Sequence, residues 1–170
     1  MKPSKGQLQE SVSVICKVIG QIPCFHIYER YVAHRFDVID SEVALKAMIH
    51  NAVLDSTLIS LRCFNEFFKP GGTRDDIRCH HYSGVSVAPF LKSSEEQSIN
   101  KYLAHVTLTR LDIVTKPWIL DDMVTRGLER GIEFLTLIEA QFPPHTEAAT
   151  AEVKGVIEAA RRLIRLIGTA

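Results

Sequence analysis

At 170 residues, with 46% hydrophobic and 24% charged side chains, the chain has the makeup of one globular domain with a real core. Lys and Arg total 20 and so do Asp and Glu, giving a formal net charge of +0. That balance excludes broad electrostatic capture of nucleic acid, which needs a basic excess, but leaves room for a small local RNA site. No run reaches the roughly 18 consecutive apolar residues of a membrane span, so no membrane partner is expected. The N-terminus carries no continuous apolar signal core, and the cysteines at 16, 24, 63 and 79 form no C-x-x-C pair. The expectation is a cytoplasmic protein with reduced, mostly buried thiols.

Leu8, Val12, Ile15 and Ile19 recur at helical spacing and predict a first helix running to Gly20, which Pro23 then breaks or kinks. The aromatic-rich stretch from Cys24 to Phe36 allows a short continuation, because Ile27 and Tyr31 lie one helical turn apart. Asp40 or Ser41 is placed to cap the next helix. From Val43 to Phe68 there is neither Gly nor Pro, and Leu54, Leu58, Leu61, Asn65 and Phe68 give that longest rod a core face. Pro70-Gly71-Gly72 stops it.

From Pro70 to Lys92 the chain is loop-like for longer than the usual ~12–15 residues, which predicts a short helix within it or a role for it. Ser86 is the candidate cap of a brief turn through Phe90. Ser93 with Glu96, or Ser94 with Gln97, fits a capping box. Ile99, Leu103 and Val106 then form an apolar face, Pro117 closes the region, and Trp118 is expected to plug one end of the fold.

Asp121 or Asp122 starts a helix whose seam is Val124, Leu128, Gly131, Leu135, Ile138 and Phe142. Gly131 costs that helix about 1 kcal/mol of propensity relative to Ala, and predicts that a neighbour comes close there. Pro143-Pro144 ends it. Thr146 caps the last helix, with Val153, Val156, Ile157, Ala160, Ile164 and Ile167 on its face and Gly168 as its stop. Helices with one apolar seam each bury those seams against one another. The expected fold is all-α, an antiparallel helical bundle of about five main helices, in a single domain spanning 1–170.

Two polar constellations interrupt the apolar stripes. On the long helix, at about 100° per residue, Asn51, Asp55, Arg62 and Glu66 fall in one narrow stripe beside the core face. Asp55 and Arg62 read either as a structural boundary pair or, with Asn51, as a site in which a buried Arg62 guanidinium meets a phosphate-like anion. Further on, His105 shares a face with Tyr102, Thr109 and Asp112, and Asp112 is placed to fix the imidazole tautomer. Asn100 projects roughly 140° away from His105 on the same wheel. The loop from Arg74 to His81 also holds Asp75, Asp76, Arg78, Cys79 and His80. Adjacent histidines on a loop point apart, so a solvated loop is the expectation there and no metal site is assigned. No phosphate-binding Gly loop or Ser or Cys nucleophile motif is present, and no cofactor is expected.

The heptapeptide Ile99–His105, INKYLAH, with Val106-Thr107 after it, resembles the motif region of HEPN (higher eukaryotes and prokaryotes nucleotide-binding) domains. It is most similar to the abortive-infection-type bacterial members, in which an Arg-Asn…Ala-His string opens a helix of a compact bundle. The resemblance implies a metal-independent endoribonuclease built across a homodimer. Asn100 takes the place of the motif's polar residue. His105 takes that of its histidine, as general acid or base on a ribose 2′-OH or a leaving oxygen. The motif's arginine is replaced by Ile99, so Arg62 or Arg110 would have to stabilise the phosphorane in its stead. The resemblance therefore implies a HEPN-like protein that binds RNA or nucleotide, in a degenerate ribonuclease form linked to toxin or phage defence. The alternative is a non-catalytic homodimeric helical interaction module.

Overall fold

A computed structural model describes residues 2–32, 43–73, 76–104, 120–141 and 146–168. They form an all-α bundle: α1 (Lys5–Gln21), α2 (Cys24–Tyr31), α3 (Val43–Phe68), α4 (Ser93–Ala104), α5 (Leu120–Gln141) and α6 (Glu147–Ile167), with no strand among the described residues. Among the described residues the helices number six where about five main ones were expected, because Pro23 separates α2 from α1. Proline has no N–H to continue the α1 ladder. The chain turns there, and the freed N–H of Phe25 donates to the buried Thr57 Oγ1 on α3 at 3.1 Å. The expected caps at Asp40 and Ser41, and the positions Phe36, Val106, Pro117, Trp118, Phe142, Pro143 and Pro144, lie outside the described residues.

Helix α1 begins at a capping box. Ser4 Oγ accepts from the Gln7 N–H at 3.2 Å, and Gln7 Oε1 accepts from the Ser4 N–H at 2.8 Å. Its predicted seam of Leu8, Val12, Ile15 and Ile19 is buried. Helix α3 is the spine, with α1, α2, α4 and α5 resting on it and α6 lying against α1 and α5. Gly131 of α5 does what its position predicts: a Cβ there would sit 3.1–3.2 Å from three side-chain carbons of Ile19, so α1 and α5 meet closely because no side chain intervenes. Gly127, one turn earlier, faces Leu61 and Phe90 in the same way. Thr146 caps α6 as expected, its Oγ1 accepting from the Ala149 N–H at 3.1 Å.

Local expectations are corrected in this part of the chain. No turn forms at Ser86; the only short helix in the 76–92 stretch is a 3₁₀ turn at Cys79–His81. The solvated loop expected over Arg74–His81 holds at the exposed His80, but the 76–92 stretch as a whole sends Cys79, Tyr82, Val85, Val87 and Phe90 into the core. It is a strap laid across α3, extended because its apolar residues must reach the core without a helical period. The Tyr82 hydroxyl is buried, which pushes its pKa up to about 12, and it donates to the Leu8 carbonyl at 3.0 Å. The capping of α4 is shifted as well: Glu95, not Glu96, reaches back, accepting from the Lys92 N–H at 2.7 Å. Glu96 is drawn off to α3.

No single helix among the described residues is long and apolar enough to cross a membrane. The cysteines are free; Cys16 and Cys79 are buried, Cys24 is half-buried and Cys63 is exposed.

Candidate functional site

The surroundings of the α4 motif are built from Asn65. It occupies a core position of α3 and is fully buried, so its amide must find partners within the protein. Its Oδ1 accepts from the N–H groups of Phe90 and Leu91 at 2.7 and 2.8 Å, fixing the end of the strap. Its Nδ2 donates to Glu96 Oε1 at 2.8 Å, fixing the start of α4. Glu96 also receives Lys69, which bonds Glu66 at 2.8 Å. Lys69, foremost, and Arg78 hold the Glu66 carboxyl below its ordinary pKa. On the other side Arg126 of α5 donates to the Phe90 carbonyl and pairs with Glu95 at 2.7 Å and Asp122 at 3.1 Å. These groups lock α3, the strap, α4 and α5 together. Apart from the buried Arg126 Nε, which has no hydrogen-bond partner among the described residues, they are engaged with one another and read as architecture rather than as a reactive centre.

Helix α4 itself separates the motif residues. Ile99 is fully buried, so the position of the motif's arginine points into the core. Asn100, next along, is exposed, as the turn of a helix requires. Tyr102 is buried and partnered, not turned toward an open face. His105, Arg110 and Asp112 lie outside the described residues.

The stripe on α3 does not assemble as expected either. Asn51 is exposed, and Asp55 is half-buried and partnered. Arg62 is not a buried guanidinium. It is exposed, makes no hydrogen bond or ion pair among the described residues, and lines an open depression of about 440 Å³ with Cys63, Glu66 and Arg78. The carboxylate one turn on, Glu66, is already held by Lys69 and Arg78.

In the strap, the rings of His80 and His81 do not point apart as expected but lie side by side, 4.3 Å between centroids and tilted by 59°. The Nδ1 of His81 accepts from the Arg78 N–H at 3.1 Å, and burial, with nearby positive groups, lowers its pKa. Arg74 and Asp75 lie outside the described residues. Among the described residues no group of three or more His, Cys, Asp or Glu is placed to hold a metal ion.

What the sequence reading missed is the far side of α3. Leu45, Met48 and Ile59 are 43%, 68% and 49% exposed, and Ala52, Ser56 and Cys63 beside them are exposed too. At 3.6 residues per turn these six fall within about 80° of one another, opposite the Leu54–Leu58–Leu61 seam, along about 27 Å of helix. The signal was available, since Leu45, Met48, Ala52 and Ile59 keep the 3–4 spacing of a packing seam. At the Cys63 end the stripe runs into a groove of about 390 Å³ walled by Val14, Ile15, Val18, Phe64 and Phe67. No protein-family model, curated protein or solved structure matches this chain.

Proposed function

We propose that the chain is a helical interaction module that pairs with a second copy of itself through the solvent face of α3. Its likeness to HEPN bundles is then to a form that holds RNA or nucleotide without arginine-assisted cleavage. The observation that carries this reading is the apolar stripe from Leu45 to Cys63. A mostly apolar strip on a helix rod, broken here only by Ser56, is a liability in water unless something covers it. A second α3 laid antiparallel brings the protruding Leu45 and Met48 of each copy to the Cys63 groove of the other. The two ends then meet twice, as a two-fold contact demands. A formal charge of +0 sets no net repulsion against that pairing. Met48→Glu is expected to convert the dimer to monomer in size-exclusion chromatography with light scattering, with an unchanged far-UV circular dichroism spectrum. A dimer indifferent to the substitution would put the contact elsewhere.

The nucleic-acid half of the reading is supported by the INKYLAH heptapeptide within an all-helical bundle. Its non-cleaving form is supported by the inward-facing Ile99, since stabilising a phosphorane needs a cation aimed at it. Labelled single-stranded RNA incubated with the protein in EDTA is expected to bind and stay intact, equally with wild type and with His105→Ala. Cleavage that disappears in His105→Ala would restore the nuclease. Failure to bind would remove RNA from the reading and leave the pairing module.

A further inference from the structure

We propose that the cleft between α2, the start of α5 and the end of α6 is a binding site for a small amphipathic monoanion, an apolar body carrying one carboxylate or equivalent acid head. This site is separate from the α3 stripe and from the α4 motif, and does not rest on the function proposed for either.

The cleft measures about 420 Å³, within the range of small-molecule sites. Its walls are apolar: Phe25 and Ile27 come from α2, and Leu163, Leu166 and Ile167 from the last turns of α6. The charges converge at its rim, and they are unequally matched. Asp121 is taken by His26, Oδ1 to Nε2 at 2.6 Å. Glu29 is taken by His50, Oε1 to Nδ1 at 2.9 Å. Arg30 has no carboxylate partner among the described residues. Among the described residues its bond is from Nη1 to the Leu166 carbonyl at 3.1 Å, at the end of α6.

A guanidinium carries five N–H donors in a planar fork, so most of its capacity remains beside the apolar wall. A carboxylate is the group that fork fits best, in a bidentate pair. The bond to Leu166 holds the guanidinium over the cleft, so the head group meets a pre-positioned cation while the apolar body lies on Phe25 and Leu163. A cationic head would have to compete with the imidazole bonds that Asp121 and Glu29 already hold.

The test is calorimetric titration of the full chain with decanoate, decanol and decyltrimethylammonium, each below its micelle concentration. Decanoate is expected to bind at 1:1 and to outcompete both others. Arg30→Gln keeps an N–H for the Leu166 carbonyl but loses the charge, and is expected to weaken decanoate about tenfold or more. Arg30→Lys, which keeps the charge, is expected to retain binding within a few-fold, and Asp121→Asn to bind decanoate as tightly or more tightly. Circular dichroism of the ligand-free variants checks that they fold, and the wild-type comparison of the three probes stands even if one does not. No decanoate binding, binding of decanol or decyltrimethylammonium as tight as that of decanoate, or binding unchanged in Arg30→Gln would each overturn the site.

Discussion

Asn65→Leu is expected to destabilise the fold by about 3 kcal/mol or more, because leaving buried donors unsatisfied costs about 1–3 kcal/mol each. Leucine matches asparagine closely in size, so little is changed but the amide. The N–H groups of Phe90 and Leu91 then lose their acceptor inside the core, and Glu96 loses one of its two donors. Three segments are released together: the end of the strap, the start of α4 and the C-terminal turns of α3. Urea unfolding should show a lower midpoint with an unchanged slope. Asn65→Asp separates the two halves of the role. It preserves acceptors for the two N–H groups but sets a carboxylate where Nδ2 faced Glu96, so its midpoint should fall between those of wild type and Asn65→Leu. A loss below about 1 kcal/mol in Asn65→Leu, the size of one ordinary hydrogen bond, would show that the strap is held by its apolar residues instead.

Phe134→Ala should cost about 3–5 kcal/mol, the usual range for emptying an aromatic site in a packed core. Phe134 is fully buried on α5, and its ring meets those of Phe67 at 5.0 Å and Tyr82 at 5.3 Å, edge to face. It is the point at which α3, the strap and α5 share one cluster. Alanine removes the ring that both neighbours abut, and Tyr82 cannot swing into the gap without giving up its bond to the Leu8 carbonyl. Phe134→Leu keeps most of the volume and loses the edge-to-face contacts, so it should cost distinctly less. Thermal unfolding followed by circular dichroism gives the ranking; equal losses for Ala and Leu would show that the site collapses freely.

The parts of this fold that were legible in the sequence are those governed by one period. The seams of α1, α5 and α6, the cap at Thr146 and the close approach at Gly131 all follow from 3.6-residue spacing or from one residue's chemistry. The strap was not legible, because Val85, Val87 and Phe90 reach the core from an extended chain with no period to announce it. Asn65 was seen as a core position, but not as the hub of the strap, because its partners are 25 to 31 residues away. Periodicity also groups residues onto faces without saying which faces find a partner. Arg62 and Asp55 were rightly set on one margin of α3, yet Arg62 opens to solvent while Asp55 is partly covered. Of helix α4, the spacing placed Ile99 on the apolar face, and there it is fully buried.

The pairing of two α3 helices is tested most directly by the native thiol at the end of the stripe. Cys63 is the exposed cysteine of the four and sits within the proposed contact. Its rate of labelling by a maleimide, measured over a dilution series, is expected to fall as the protein associates, and the protection is expected to vanish in Ile59→Glu. A labelling rate that stays constant while light scattering reports a dimer would contradict the pairing.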